Sequence, residues 1–181
     1  YVDNVGDQVL GGPDDEVYSS VSFSLINGSV PYVDADGVTR PYEYGPSNLT
    51  LLADSGDLDG TGNSLNNTIT GNNGNNVLNG RAGDDVINGI GGNDTLIGGM
   101  GNDRYVSYGH YGNTWVIDNA ASDNDTAVDT LEITNDVLLQ RNGDDLVVSV
   151  GSYQTDTITV KNHFAADGQS RLDQIKFADG T

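Results

Sequence analysis

Large apolar residues recur at an interval of nine between residues 62 and 106. Divided into blocks of nine, this stretch reads GNSLNNTIT, GNNGNNVLN, GRAGDDVIN, GIGGNDTLI and GGMGNDRYV. The eighth position of each block is large and apolar: Ile69, Leu78, Ile87, Leu96 and Tyr105. Because a strand presents alternate side chains to one face, each block predicts a six-residue loop followed by a three-residue strand. Stacked blocks would bring these apolar residues together as a core.

The sixth position of each block is always Asn or Asp: Asn67, Asn76, Asp85, Asp94 and Asp103. Glycine-rich backbone precedes it, and glycine turns sharply because it adopts positive φ without a Cβ clash. If two blocks make one turn of a coil, Asp103 stacks over Asp85 at a strand spacing of about 5 Å. Stacked carboxylates repel unless a hard cation with oxygen ligands neutralises them. The pattern therefore predicts calcium between the turns.

Glycine, asparagine and aspartate are also common in surface turns and in disordered linkers. A flexible linker has no reason to keep a nine-residue phase or to return an apolar residue at each eighth position. Five blocks in phase therefore favour a repeat architecture over a linker.

The blocks resemble the GGxGxDxUx repeat of the RTX, or haemolysin-type, calcium-binding proteins. The resemblance implies an all-β fold: a calcium-stabilised parallel β-roll, which is a right-handed β-solenoid of nonapeptide repeats, with β-rich flanking and C-terminal capping segments. It also implies how calcium is held between two loops. Both sixth-position side chains bind it, together with carbonyls of the second and fourth positions of the lower loop and of the first and third positions of the upper loop.

Placed on this chain, the family pattern implies three complete calcium sites. The first consists of Asn63, Leu65 and Asn67 with Gly80, Ala82 and Asp85. The second consists of Arg81, Gly83 and Asp85 with Gly98, Met100 and Asp103. The third consists of Asn72, Gly74 and Asn76 with Gly89, Gly91 and Asp94, and Asp94 would begin a fourth with the segment after Val106. Because two asparagines replace aspartate, we expect the first and third sites to bind more weakly.

The sequence divides into three parts: a strand-rich N-terminal flank over 1–52, the nonapeptide β-roll over 53–106 and a β-rich C-terminal cap over 107–181. The flank resembles the connectors between RTX arrays but carries an insertion at about 27–47. The insertion contains Tyr32, Arg40, Tyr42 and Tyr44. Aromatic residues beside a cation are common in binding surfaces, so a surface ligand is one interpretation. A self-packed surface loop is the other.

The C-terminal part contains large aromatic residues that suit an end cap. Solenoids need atypical end units to cover their open apolar ends, and we expect Trp115, Phe164 and Phe177 to do this. The RTX family usually has aspartate where Thr114 stands. This departure from the family pattern leaves open whether calcium binding continues on that side of the roll.

The charge of the chain excludes some partners. With 27 acidic and 7 basic residues, the formal charge of −20 opposes nucleic acid and anionic membranes and suits cations. There are no cysteines, so metal rather than disulfides would stabilise the fold. No apolar stretch approaches a membrane span, and the first residues lack a signal-peptide pattern. We expect no membrane insertion and an internal fragment of a larger parent chain.

Catalytic motifs are not visible in the sequence. HExxH, GxSxG, GxGxxG and phosphate-binding GxxxxGK[ST] patterns are missing. His110 and His163 lie 53 residues apart without a cysteine or histidine partner nearby. We therefore expect no enzymatic activity in this chain.

Three functions share the calcium roll: a segment of a large secreted adhesin, the secretion and folding module of an RTX enzyme such as a protease, lipase or alginate epimerase, and part of an RTX toxin. The connector-like start favours the adhesin. The resemblance implies type I secretion from a Gram-negative bacterium and folding on calcium outside the cell.

Overall fold

The computed structural model describes residues 1–4, 9, 12, 14–25, 28–33, 39–107, 112–117, 130–133, 137–150, 156–166 and 172–177. All regular elements within these ranges are strands, which confirms the predicted all-β fold. The same ranges contain no helix with the length and hydropathy of a membrane span.

Seventeen strands form within the described residues, and most are short because the loops return every nine residues. They are β1 (Glu16–Ser19), β2 (Phe23–Ser24), β3 (Gly28–Val33), β4 (Thr39–Tyr44), β5 (Asn48–Leu51), β6 (Asp59–Thr61), β7 (Thr68–Thr70), β8 (Val77–Ala82), β9 (Val86–Asn88), β10 (Thr95–Met100), β11 (Arg104–Ser107), β12 (Asn113–Ile117), β13 (Thr130–Ile133), β14 (Val137–Asn142), β15 (Asp145–Val150), β16 (Asp156–Val160) and β17 (Gln174–Phe177).

Consecutive strands of the repeat alternate between two sheets. The first sheet has the order β1-β5-β7-β9-β11-β13-β17, and the second has the order β14-β15-β16-β12-β10-β8-β6-β2. Pairing is parallel from β2 to β16 in the second sheet and throughout the first. Two blocks therefore make one turn, and the predicted parallel β-roll is confirmed.

The eighth-position residues form the core between the two sheets. In the first sheet Ile87 lies opposite both Ile69 and Tyr105, and in the second Leu78 lies opposite Leu96. All five side chains are at most 2% exposed. The predicted core column is confirmed.

Strands from both flanks continue the same two sheets. Leu49 of β5 lies opposite Ile69, and Leu131 of β13 lies opposite Tyr105, so the apolar ladder crosses both predicted boundaries. Both leucines are buried. The division of the chain into 1–52, 53–106 and 107–181 stays a prediction, because shared sheets do not by themselves define units.

The block at 53–61, ADSGDLDGT, also belongs to the roll, although its eighth position is Gly60. Gly60 lies opposite Leu78 in the second sheet. A Cβ on Gly60 would lie only 3.1 Å from Leu78 Cδ2 and 3.2 Å from Leu49 Cδ2. Neighbouring leucines therefore fill the space that an apolar side chain of this block would occupy.

The aromatic residues of the predicted cap behave differently from one another. Phe164 and Phe177 are partly buried and pack against the core. Trp115 is 53% exposed, so the expectation that it covers the apolar end is wrong. Strand alternation explains this, because Val116 is fully buried and its neighbour must face outward. At this end β14 and β15 pair antiparallel, which ends the parallel pattern.

The insertion at about 27–47 contains an antiparallel hairpin, β3–β4, which forms a separate two-stranded sheet. Its backbone register sets Tyr32 opposite Arg40, and it sets Tyr42 and Tyr44 opposite Val30 and Gly28.

Candidate metal centre

The sixth-position residues lie where each loop enters its strand. Asn67, Asn76, Asp85, Asp94 and Asp103 are all 1% exposed. Polar groups removed from water in this way need hydrogen-bond partners or a bound ion. The partners that each side chain has therefore indicate which turns are suited to a cation.

One oxygen of each aspartate reaches the turn below. Asp85 Oδ1 accepts a hydrogen bond from the Asn67 N–H at 2.7 Å, and Asp103 Oδ1 accepts one from the Asp85 N–H at 2.9 Å. Asp94 Oδ1 accepts one from the Asn76 N–H at 2.9 Å on the other side of the roll. The eighteen-residue stacking that the sequence predicts is present in all three pairs.

The second oxygen of Asp85 and that of Asp94 are buried without a hydrogen-bond partner. A Cβ on Gly80 would overlap Asp85 Oδ2 and would lie 2.7 Å from the carbonyl oxygen of Gly98, one turn above. The carboxylate and this carbonyl thus converge on space that glycine leaves open. Calcium prefers such oxygen ligands, so these residues fit the ion that the repeat implies.

Burial also makes the ionised aspartates costly in the metal-free protein. It raises the pKa of Asp85 to about 8, an effect that the charges of Asp103 and Asp84 increase and the hydrogen bond from Asn67 opposes. Burial likewise raises the pKa of Asp94 to about 6. A cation beside either carboxylate would offset this cost, so calcium would compete with protons for these oxygens.

The other residues of the second predicted site lie between the same two turns. The Arg81 carbonyl approaches Gly99 and the Gly83 carbonyl approaches Gly101, so both face the loop above, as the resemblance implies. The Met100 carbonyl accepts a hydrogen bond from the Gly83 N–H at 2.9 Å. The loop–loop pairing therefore already uses one lone pair of this predicted ligand.

The first and third predicted sites differ in their lower side chain. Asn67 Oδ1 accepts a hydrogen bond from the Asn63 N–H at 2.8 Å, and Asn67 Nδ2 donates to Asn63 Oδ1 at 2.9 Å. Asn76 repeats both bonds with Asn72, at 2.9 and 3.1 Å. Neither amide carries the unpartnered oxygen that distinguishes Asp85.

The backbone carbonyls of the first and third predicted sites lie much as those of the second predicted site do. The Leu65 carbonyl approaches Gly83, and the Gly74 carbonyl approaches Gly92. The upper carbonyls of Gly80 and Gly89 lie beside Asn67 and Asn76, each 2.5 Å from a Cβ built on the first glycine of the lower loop.

The third-position residues, Ala82 and Gly91, also lie in the upper loops of these sites. Ala82 pairs with Met100 at the end of β8. The Gly91 N–H donates to the Asn72 carbonyl at 3.2 Å.

The predicted fourth site is only partly visible. The Trp115 N–H donates to the Asp94 carbonyl at 2.8 Å, which sets Thr114 at the sixth position one turn above Asp94. Thr114 is 3% exposed. Residues 108–111, which would complete this loop and include His110, lie outside the described part of the chain.

A second polar column at the fifth position was missed by the sequence reasoning. Its side-chain oxygens accept hydrogen bonds from the fifth-position N–H one turn above: Asn66 from Asp84, Asp84 from Asn102, Asp57 from Asn75, Asn75 from Asn93 and Asn93 from Asn113, all at 2.8 or 2.9 Å. The signal was available, because all five blocks have Asn or Asp at this position. Side chains thus satisfy backbone donors in both directions along the roll.

Within the described residues no three His, Cys, Asp or Glu side chains converge on one point. A cation between these turns would therefore take most of its ligands from backbone carbonyls, as calcium does readily.

Two family models match the chain. Residues 61–89 and 91–107 match the RTX calcium-binding nonapeptide repeat, and residues 145–181 match the haemolysin-type calcium binding protein related domain. The first match covers nearly the whole nine-residue pattern, and the second covers β15 to β17. No curated protein matches the chain significantly.

Proposed function

This chain is an RTX calcium-binding repeat protein, and on that premise we propose that its β-roll is a calcium-dependent folding and structural module of a larger secreted adhesin. The observation that carries the proposal is the buried Asp85 carboxylate. Its Oδ2 has no hydrogen-bond partner and shares its space with the Gly98 carbonyl. Such an oxygen pair is costly in the metal-free protein and favourable around calcium.

The second predicted site is the strongest candidate. Asp85 and Asp103 supply the side chains, and the carbonyls of Arg81, Gly83, Gly98 and Met100 complete an oxygen cage. The first and third sites have an amide in place of the lower carboxylate, so they bind more weakly. With a dissociation constant of about 0.1 mM, typical of extracellular modules, about 1 mM calcium stabilises the fold by about 1.4 kcal/mol per site.

This dependence suits a protein that folds after export. In a low-calcium cytosol Asp85 and Asp94 have no cation to offset their burial, which favours an unfolded chain that type I secretion can transport. External calcium then favours the roll. The family resemblance adds secretion by a Gram-negative bacterium and a location at the cell surface.

The adhesin role is supported by the continuity of the two sheets. The apolar ladder runs from Val17 in β1 to Ile175 in β17. A scaffold of this kind transmits load and spaces binding domains along a parent chain. The alternative is a folding module of an RTX enzyme or toxin.

The first test is far-UV circular dichroism during calcium titration from EDTA, with magnesium at equal ionic strength as the control. We expect a calcium-specific rise in β-signal. A spectrum that calcium does not change would overturn the folding role. In the parent protein, cells carrying Asp85→Asn should lose surface adhesion, whereas a catalytic activity of the purified parent would support the enzyme alternative.

The β3–β4 hairpin is the candidate ligand surface of this module. Tyr32 pairs with Arg40, Tyr42 with Val30 and Tyr44 with Gly28, whereas Glu43 pairs with Ser29. We expect Tyr32→Ala and Tyr42→Ala to reduce binding to surfaces that the parent protein adheres to, with Glu43→Ala as the control. Equal effects of the tyrosine and glutamate substitutions would argue for the self-packed loop.

A further inference from the structure

The five turns of the array fall into two backbone classes. In the three aspartate turns the second and fourth residues all have positive φ: Arg81 (82°), Gly83 (109°), Ile90 (75°), Gly92 (102°), Gly99 (113°) and Gly101 (122°). In the two asparagine turns the corresponding residues, Asn63 and Leu65 and then Asn72 and Gly74, do not have positive φ. The same nine-residue period therefore contains two different loops.

The side chain at the second position explains the difference. Asn63 Oδ1 accepts hydrogen bonds from the Leu65 N–H at 3.0 Å and from Asn67 Nδ2 at 2.9 Å. Asn72 Oδ1 does the same with the Gly74 N–H at 2.8 Å and with Asn76 Nδ2 at 3.1 Å. An asparagine that bonds the backbone two residues ahead forms a local turn of its own.

The amide groups also reach carbonyl oxygens outside their own loops. Asn63 Nδ2 donates to the Pro46 carbonyl at 2.9 Å, and Asn76 Nδ2 donates to the Leu58 carbonyl at 2.8 Å. Asn72 Nδ2 donates to the carbonyls of Leu52 and Gly56, at 3.0 and 3.1 Å. These N–H donors satisfy inward carbonyls, which is the role that a cation has between aspartate turns.

The turn at 53–58 separates the effect of the second position on the backbone from the effect of the sixth. Its sixth residue is Leu58, which offers no side-chain ligand, yet Asp54 and Gly56 have positive φ of 62° and 78°. The positive-φ class therefore does not depend on a carboxylate at the sixth position. Asparagine at the second position is the feature that the two relaxed turns share.

Two of the aspartate turns hold a residue in an unfavourable conformation. Arg81 and Ile90 adopt the left-handed region, which β-branched Ile90 in particular disfavours. Such conformations persist when surrounding contacts fix them. The asparagine turns carry no comparable strain, and their buried amides are hydrogen-bonded.

We propose that the Asn63–Asn67 and Asn72–Asn76 turns are stapled by their amides and hold their shape without calcium. Calcium-dependent ordering is then confined to the turns of Asp85, Asp94 and Asp103. Calcium reaches the first and third sites only by competing with the bonds from Asn63 N–H to Asn67 Oδ1 and from Asn72 N–H to Asn76 Oδ1. The confinement of calcium-dependent ordering rests on the proposed calcium function, whereas the amide staple does not.

Hydrogen exchange of the whole chain, read by mass spectrometry in EDTA and in 1 mM calcium, tests the proposal. In EDTA we expect amides of residues 62–79 to exchange roughly tenfold or more slowly than those of 80–107. Calcium should slow exchange mainly in 80–107. Uniformly fast exchange in EDTA would overturn the staple. Slow exchange in 62–79 with no calcium effect elsewhere would preserve the staple and overturn the calcium function instead.

A variant in which the first asparagine turn is changed into an aspartate turn gives a second test. Asn63→Gly with Asn67→Asp removes the staple and supplies a carboxylate. We expect calorimetry to find tighter calcium binding at the first site and exchange in 62–67 to become calcium-dependent. Asn66→Asp is the matched control, because its side chain is exposed and still accepts a bond from the Asp84 N–H. A double variant that matches wild type in both measurements contradicts the proposal.

Discussion

Asp103 Oδ1 accepts a hydrogen bond from the backbone N–H of Asp85 at 2.9 Å, although eighteen residues separate them. Asp85 repeats this relationship with Asn67, at 2.7 Å. Asp85 therefore donates to the turn above, accepts from the turn below, and keeps Oδ2 without a hydrogen-bond partner. The structural hydrogen bond and the proposed metal ligand are thus different oxygens of one side chain, so a mutation can separate the two roles.

Asp85→Asn should separate them. The amide oxygen can still accept the Asn67 N–H, but the charge beside the Gly98 carbonyl is lost. We expect calcium affinity at the second site to fall roughly 10- to 100-fold, measured by isothermal titration calorimetry. Asp84→Asn is the control, because Asp84 is adjacent and exposed and its Oδ1 accepts from Asn102. Equal losses in both variants would mean that general charge, not site geometry, controls binding.

The period of the sequence is sufficient to predict the roll and its core. It set Ile69, Ile87 and Tyr105 in one ladder, because residues eighteen apart must stack when two blocks make a turn. Gly60 escaped the same reasoning. Its block lacks an apolar residue at the eighth position, and the leucines that fill the space come from other strands.

The turn classes were less accessible from sequence. The blocks of Asn67 and Asp85 share the same nine-residue period, but Asn63 Oδ1 accepts the Leu65 N–H, and this choice of partner changes the loop. That choice is made between alternative hydrogen bonds of similar energy, so period and composition do not specify it. The exposure of Trp115, in contrast, could have been predicted, because strand alternation with the buried Val116 turns this side chain outward.

Gly80→Ala tests the space between the turns. Gly80 does not have positive φ, so alanine is acceptable to the backbone, but its Cβ would overlap Asp85 Oδ2. We expect a loss of about 1–3 kcal/mol of stability from overpacking and at least a tenfold loss of calcium affinity, roughly the effect of a displaced ligand. Thermal melts and calorimetry in calcium measure both.

Gly12→Ala is the matched control for this substitution, because its Cβ would meet nothing closer than Asp15 Oδ2 at 3.9 Å. It should leave stability and calcium affinity unchanged. If Gly80→Ala also left calcium affinity unchanged, the space beside Gly80 would not be part of the site.

The pH dependence of the metal-free protein follows from Asp85. Burial raises the pKa of Asp85 to about 8 in the folded state, against the ordinary 3.8 that applies in the unfolded chain. Between pH 3.8 and pH 8 the folded state therefore binds more protons than the unfolded state. The free energy of unfolding falls as pH rises through this range. In EDTA, the urea midpoint should be higher at pH 5 than at pH 8.

Calcium should reverse this trend, because it binds the ionised carboxylate. In 1 mM calcium the urea midpoint should rise from pH 5 to pH 8, followed by circular dichroism. Asp85→Asn should flatten the EDTA profile above about pH 6 and leave the part below it, where Asp94 still titrates. A profile in EDTA that rises with pH in the wild-type protein would contradict the raised pKa.

Tyr105→Phe tests how the core supports the metal centre. The Gly98 N–H donates to the Tyr105 hydroxyl at 2.9 Å inside the roll, where Tyr105 is fully buried. Phenylalanine leaves this N–H without its acceptor, at a cost of about 1–3 kcal/mol in the free energy of unfolding.

Tyr18→Phe is the control, because its hydroxyl donates to Glu16 on the exposed face and should contribute nothing measurable. Calcium-loaded urea denaturation compares the two variants, and equal stability would show that water replaces the lost acceptor. Because Gly98 also offers its carbonyl to the space beside Asp85, a fall in calcium affinity together with stability would link the core to the site.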